Sequence, residues 1–164
     1  MKRHDSMRGW FAYTLHEEMG KDKRIFILTG GLGFSMLDPL RDDYPERFVN
    51  TEAAEQTLMD IACGLAIEGK IPFVYSITPF LIYRPFECLR TYVNHENLNV
   101  KLVGSGRDAD YHIDGWSHNA SDVKQVLDTL PNIKQLWPEK KEDIPDMVRL
   151  MVDSINPMFI SLRR

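Results

Sequence analysis

Glu55 is the residue of this sequence best placed to do chemistry, because it lies where a strand gives way to a helix. It follows the short apolar stretch 47–50 and stands near the start of a helical pattern over 53–68. The positive end of the helix dipole favours a carboxylate there, whereas burial disfavours its charge. A carboxyl group balanced between these effects can share a proton with a ligand. A residue that only complements the helix dipole would show the same pattern.

The elements that must position Glu55 alternate between strands and helices along the chain. Strands are predicted by six short apolar stretches bounded by turn residues, at 24–29, 47–50, 72–76, 100–104, 133–137 and 157–162. Helical patterns run from Ser6, a predicted N-cap, to about Met19, and over 53–68, about 84–96, about 119–130 and 141–154. The alternation predicts the α/β class: one domain over 1–164, with a mostly parallel sheet and helices on both faces.

Ligands of such sheets bind beyond the carboxyl ends of the strands. The loops predicted at those ends cover 29–35, 50–55, 76–83 and 104–118. The first of them contains the glycine-rich stretch 30–33, but the spacing of a dinucleotide-binding motif is incomplete. A tight turn with positive φ angles explains these glycines equally well.

The composition excludes several classes of protein. A chain of 164 residues with 43% hydrophobic residues and a net charge of −4 fits one domain with a core. The charge and the lack of a basic block argue against binding to nucleic acid or to a membrane surface. Cys63 and Cys88 are too few for a disulfide framework, and we expect both to be reduced core residues. With no apolar signal core or membrane-spanning stretch, we expect a cytoplasmic protein.

Seven short segments share an order and spacing with a known family. They are Arg8, 28–33, 54–56, 64–69, 84–87, 114–118 and 130–132. Together they resemble the pyrimidine-binding domain of transketolase-type thiamine diphosphate enzymes, which are related to deoxyxylulose-phosphate synthase. The resemblance runs from about Met7 to Leu162 and implies the thiamine diphosphate-binding fold.

The resemblance implies cofactor-binding roles for four residues. Glu55 corresponds to the family's catalytic glutamate, which hydrogen-bonds a ring nitrogen of the aminopyrimidine and favours its imino tautomer. Phe80 is our choice for the ring that stacks on the aminopyrimidine, and Tyr83 is a second possibility. Leu32, in the first loop, is a further cofactor contact. Without the resemblance, Phe80 would more often be an ordinary core residue.

Four positions are implied to face the substrate. Asp114 and His118 lie in the loop whose family counterparts contact substrate oxygens, and His118 is also a catalytic candidate because histidine can shuttle protons near neutral pH. Arg8 and Ser35 lie where relatives hold a substrate phosphate. From the sequence alone, His118 would more often be a loop or helix-start residue, and Arg8 a solvated surface charge.

Some family positions are altered. The usual acidic residue of the first loop is replaced around Gly31, and a usual glycine is Glu52. Trp116 and Ser117 stand where a proline and a threonine are common. The substrate side of the pocket is therefore the part that should differ most from relatives.

Other family features are missing from the sequence. We find no glycine-aspartate-glycine segment with a downstream asparagine to hold a metal and the cofactor diphosphate, and no counterpart of the third transketolase domain. We therefore expect no metal ligands from this chain, and a separately encoded diphosphate-binding subunit that supplies those for Mg²⁺. An α2β2 heterotetramer is the expected assembly, with no nucleic-acid or membrane partner.

The resemblance thus predicts the pyrimidine-binding subunit of a split transketolase-like enzyme, active only with its partner. It would transfer a two-carbon ketol unit between sugar or sugar-phosphate substrates. Two alternatives remain open at this point. The chain could serve a thiamine diphosphate-dependent decarboxylase or synthase of 2-oxo acids, or it could be a non-catalytic binding protein that retains the fold.

Overall fold

Six strands form one sheet in the computed structural model of the protein, which describes residues 2–164. The strands are β1 Ile25–Thr29, β2 Phe48–Asn50, β3 Ile71–Ile77, β4 Lys101–Ser105, β5 Lys134–Leu136 and β6 Met158–Leu162. Their order across the sheet is β2-β1-β3-β4-β6-β5, and every neighbouring pair is parallel. The predicted α/β class and all six predicted strands are confirmed.

The first helix precedes β1, and the others lie between the strands along the chain. The helices are α1 Met7–Lys21, α2 Asp38–Asp43, α3 Glu55–Ile67, α4 Thr78–Tyr83, α5 Phe86–Cys88, α6 Val123–Leu127 and α7 Ile144–Asp153. Ser6 caps α1 as predicted, because its hydroxyl accepts a hydrogen bond from the Gly9 amide. Within residues 2–164, no helix is both long and apolar enough to cross a bilayer.

The sheet is buried on both faces, which explains why its strands read as nearly continuous apolar stretches. One core cluster packs the sheet against α1 and α7 and includes Phe11, Phe73 and Ile160. The other packs the opposite face against α3, α5 and α6 and includes Leu58 and Val74. Helices on both faces leave the two ends of the strands as the accessible parts of the sheet.

Two predictions around α4 need correction. The stretch 76–83, predicted as a loop, contains α4, which begins directly after β3. Its proline, Pro79, lies in the first turn, where a missing amide costs no helical hydrogen bond. The predicted helix over 84–96 is interrupted at Pro85 and continues as α5 and a π-helical segment at Leu89–His95.

The predicted helix over 119–130 is also shorter than expected. Only Val123–Leu127 forms α6. Ala120 instead makes an antiparallel bridge with Asp108, so the chain before α6 is held in an extended conformation. This bridge anchors the end of the loop that carries His118.

The two cysteines are buried and free, in agreement with their prediction as reduced core residues. The structure adds that they are neighbours, with Sγ atoms 3.6 Å apart. Cys63 belongs to α3 and Cys88 to α5, so the pair marks the contact between these two helices.

Lys101 is a fully buried lysine at the start of β4, and its burial is expected to make stability depend on pH. Its Nζ donates hydrogen bonds to the carbonyl oxygens of Ser154 and Asn156, at 2.9 and 2.6 Å. Burial lowers the pKa of Lys101 from 10.5 to about 7. Because the folded chain then binds fewer protons than the unfolded chain, the free energy of unfolding should rise between these two pKa values.

The variant K101M is therefore expected to remove this rise, whose slope is at most about 1.4 kcal/mol per pH unit for one proton. Urea unfolding of both proteins at several pH values from neutral to alkaline measures the difference. Lys134 is exposed, and K134M serves as the matched control that should keep the slope. Identical pH profiles for all three proteins would contradict the prediction.

Candidate active site

The candidate site lies beyond the carboxyl ends of the central strands β1, β3 and β4, where a parallel sheet exposes its loops. Glu55 begins α3 at this edge, and Ser76 is near the end of β3. A Cβ atom on Gly30, directly after β1, would lie 3.5 Å from Glu55 Oε1 and 3.6 Å from Ser76 Oγ. These are ordinary van der Waals distances, so the first loop passes directly beside the carboxylate.

Glu55 is almost completely buried, at 4% exposure, and both of its carboxylate oxygens have partners. Oε1 accepts a hydrogen bond from the Ser76 hydroxyl at 3.4 Å. Oε2 accepts one from Arg84 Nη1 at 2.6 Å. As the first residue of a helix of 13 residues, the side chain also lies at the positive end of the helix dipole. Two side-chain donors and the start of a helix therefore surround this carboxylate.

Arg84 connects Glu55 to Phe80. The guanidinium carbon lies 3.7 Å from the centre of the Phe80 ring, a cation–π contact. Phe80 and Arg84 are four residues apart at the helix α4, so they project from the same side. The space beside the ring and the carboxylate therefore accepts a flat group that carries N–H donors.

His118 contacts this cluster through Phe80. Its ring meets the Phe80 ring in a T-shaped arrangement with centroids 4.8 Å apart, and the Tyr111 ring lies 6.3 Å away. Its Nδ1 shares a hydrogen bond with the Ser117 hydroxyl at 3.0 Å. The structure thus brings together Glu55, Phe80 and His118, three residues chosen from the sequence.

Arg8 and Ser35 lie side by side in a second part of the site. Both line a cavity of about 350 Å³, together with His4, Ser6, Gly33, Phe34 and Met36. Arg8 Nη1 donates to the Tyr111 hydroxyl at 3.3 Å, and Tyr111 shares a further hydrogen bond with Ser105. Among residues 2–164, Nε of Arg8 is buried without a hydrogen-bond partner. Such a donor can serve an anion that enters the cavity.

Within residues 2–164, three further predicted site residues make no hydrogen bond or ring contact with Glu55, Phe80 or His118. The Tyr83 hydroxyl donates to the Asp122 carboxylate at 2.6 Å, and burial and this carboxylate raise the pKa of Tyr83. Asp114 is exposed at the end of the 3₁₀ turn His112–Asp114. Leu32 is partly packed against the core next to α1, and its carbonyl accepts a hydrogen bond from the Thr29 hydroxyl.

The two altered positions of the first and second loops are in contact. Gly31 has a φ of 73° and Glu52 one of 53°, so both adopt the left-handed conformation. A Cβ on Gly31 would lie only 2.7 Å from Glu52 Oε2. The Glu52 carboxylate thus fills the space that a side chain at position 31 would need.

Sequence reasoning missed Ser76, Tyr111 and Arg84 as members of the site. The spacing of Arg84 from Phe80 is a helical signal, but it is visible only once the segment is known to be a helix. Within the part of the chain that the structure describes, we find no group of three or more histidine, cysteine, aspartate or glutamate residues arranged to hold a metal ion.

A family comparison matches residues 5–164 to the profile described as the transketolase pyrimidine-binding domain. An apulose-4-phosphate transketolase subunit of Actinobacillus succinogenes is 32% identical over 136 residues, which is 83% of this chain and 44% of that protein. A 6-deoxy-6-sulfo-D-fructose transketolase subunit of a Clostridium species is 27% identical over 159 residues, 96% of this chain and 49% of that protein. The chain thus spans about half the length of these curated relatives.

Comparison with solved structures also finds similarity to transketolases. A structure described as a split gene transketolase, inactive beta4 tetramer, superposes with a TM-score of 0.86 at 29% identity, over 97% of this chain and 51% of that one. The transketolase of Leishmania mexicana superposes with a TM-score of 0.85 at 18% identity, over 99% of this chain and 26% of that one. At that identity the second likeness concerns the fold alone.

Proposed function

Because this chain belongs to the transketolase pyrimidine-binding domain family, we propose that it forms the pyrimidine-binding part, residues 1–164, of a split, thiamine diphosphate-dependent transketolase-like enzyme. The reaction would transfer a two-carbon ketol unit between sugar-type substrates. Two relatives are named as transketolase subunits, which supports a separately encoded partner for this chain.

One observation carries the proposal: a flat cation with N–H donors lies against both Glu55 and Phe80. The Arg84 guanidinium contacts the Glu55 carboxylate at 2.6 Å and the centre of the Phe80 ring at 3.7 Å. The aminopyrimidine of thiamine diphosphate is also flat and carries nitrogen donors. These residues therefore fit the group that the family implies.

Each residue of the cluster then has a chemical task. When bound, thiamine diphosphate supplies the carbanion chemistry that breaks and forms the carbon–carbon bond. Glu55 hydrogen-bonds the ring nitrogen of the aminopyrimidine and shares a proton with it. Phe80 stacks on the ring, with Tyr83 as the second choice, and Leu32 contacts it from the first loop.

The substrate side of the site is proposed to recognise a sugar phosphate. His118 donates to or accepts protons from substrate oxygens, and Asp114 hydrogen-bonds a substrate hydroxyl. Arg8 and Ser35 bind the phosphate in the cavity that they share, where the unpartnered Nε of Arg8 supplies a donor. The sugar phosphate in the name of the Actinobacillus relative supports this substrate class.

The partner is proposed to supply the diphosphate-binding residues and the Mg²⁺ ligands, in an α2β2 complex in the cytoplasm. Large apolar side chains are exposed around the site, as expected of an interface: Phe34 and Trp116 at 78% each and Ile113 at 74%. Alone, the chain should self-associate through this surface. A solved relative described as a beta4 tetramer supports this expectation.

Calorimetry with thiamine diphosphate and Mg²⁺ tests the proposal. We expect tight binding, and turnover of ketose donors, only when this chain is mixed with a candidate diphosphate-binding subunit. The chain alone should bind weakly, because it holds only the aminopyrimidine half of the cofactor. Preference for 2-oxo acids over ketoses would reassign the reaction to a decarboxylase or synthase. Absence of binding in mixtures with every candidate partner encoded beside this chain would favour a non-catalytic role.

A further inference from the structure

The contact between Arg84 and Glu55 occupies the carboxylate that the proposed function assigns to the cofactor. Ser76 holds Oε1 of Glu55, and Arg84 holds Oε2 at the shorter distance of 2.6 Å. Neither oxygen is therefore free of protein donors. Each oxygen can accept a further hydrogen bond, but the guanidinium that holds Oε2 also lies over the Phe80 ring, so a ring that stacks there and bonds this carboxylate competes with Arg84.

Arg84 competes for the aromatic surface as well. Its guanidinium carbon lies 3.7 Å from the Phe80 ring centre, which is within the stacking distance of a flat group. The His118 ring also packs against Phe80, at a centroid distance of 4.8 Å, and takes up a further part of the surroundings of that ring. An aminopyrimidine stacked on Phe80 and bonded to Glu55 therefore needs the space of the guanidinium.

We propose that Arg84 is a displaceable occupant of the pyrimidine site, which pairs with Glu55 and stacks on Phe80 until the cofactor replaces it. This inference rests on the proposed function. It adds that cofactor binding is an exchange of one flat nitrogen-bearing group for another, and that Arg84 sets the cofactor affinity by competing for the site.

The geometry makes this exchange easy. The Arg84 side chain is 43% exposed, whereas that of Glu55 is only 3% exposed, so the guanidinium can move into water while the carboxylate stays in place. Arg84 directly follows α4 and precedes Pro85, so its departure breaks no regular helix. Within residues 2–164, its side chain makes no hydrogen bond other than the one to Glu55.

Arg84 also stabilises the cofactor-free chain. A buried carboxylate without partners is costly, because desolvation of the charge is not compensated. Arg84 compensates this charge until the aminopyrimidine arrives. A residue that fills the site before the ligand reduces the apparent affinity by the fraction of molecules in which the site is free.

The test compares cofactor binding by R84M and by the unaltered protein, each assembled with its diphosphate-binding subunit. Met keeps the length and apolar stem of arginine but removes the charge and the donors. We expect thiamine diphosphate to bind R84M about fivefold more tightly by calorimetry, because a partly exposed ion pair no longer has to be broken. R90M is the matched control and should bind as the unaltered protein does, since Arg90 is exposed and lies in the π-helical segment Leu89–His95.

A second measurement, of thermal unfolding, distinguishes an Arg84 that competes with the cofactor from one that supports the cofactor site. Without cofactor, R84M should unfold at a lower temperature than the unaltered protein, and saturating cofactor should remove most of this difference. If Arg84 instead supported the site, R84M would bind the cofactor more weakly, and that result, like equal binding, would overturn the inference alone. If none of the three proteins bound the cofactor, the proposed function would fail and the inference with it.

Discussion

Replacement of Glu55 by glutamine is expected to lower turnover of the assembled enzyme by about 10²- to 10⁴-fold, the range typical of a lost proton-transfer group. Glutamine has nearly the same shape and can still contact Ser76, but an amide cannot share a proton with the ring nitrogen. Because glutamine keeps the size and shape of this buried side chain, we expect the loss to concern the chemistry and not the fold. Steady-state kinetics with a ketose donor measure the effect.

The control for E55Q is E68Q, which changes the same residue type at the far end of the same helix. Glu68 is exposed, so E68Q should leave turnover unchanged. Unfolding curves of both variants establish that the fold persists. Turnover of E55Q within threefold of the unaltered enzyme would exclude the proton-sharing role of Glu55.

The second large effect concerns stability, and we expect R107M to lose about 2–4 kcal/mol of unfolding free energy. Arg107 is 4% exposed and lies just after β4. Its Nη2 donates to the carbonyl oxygens of Pro138 and Ser161, at 2.8 Å each, and its Nε donates to the Ser161 hydroxyl. Methionine would fill the volume but would leave these buried oxygens without a donor.

Urea unfolding of R107M beside R163M measures this loss. Arg163 is 43% exposed, and its contacts with Asp108 and Asp110 are ion pairs at 3.6 and 3.7 Å. Exposed pairs of this kind contribute less than about 1 kcal/mol to stability, so R163M should have nearly the same free energy of unfolding as the unaltered protein. Equal losses in the two variants would show that the carbonyl contacts of Arg107 do not stabilise the sheet.

The parallel sheet could be predicted from the sequence because burial on both faces makes each strand a short apolar stretch. Even β2, with three residues, was recognisable from the turn residues around it. The helix boundaries depended on contacts that no local pattern contains. Residues 119–122 are held by the bridge between Asp108 and Ala120, and α4 starts without a loop after β3.

A site residue could be predicted from the sequence when its position followed from the helix or strand that contains it. The position of Glu55 at the start of α3 is an example. Contacts between elements were not predictable in this way. The pairing of Arg84 with Glu55 joins residues 29 positions apart, and Tyr111 meets Arg8 across 103 positions. The altered positions Gly31 and Glu52 looked independent, yet they share one space.

The strand order has a consequence for synthesis on the ribosome. β5 pairs only with β6 in the sheet, although β6 is made later. A nascent chain that has reached β5 therefore exposes the free edge of β4 and an unpaired strand, a state prone to aggregation. The sheet can close only when β6 inserts between them. Arg107 then holds the inserted strand in place, because it bonds Ser161 in β6 and Pro138, two residues beyond β5.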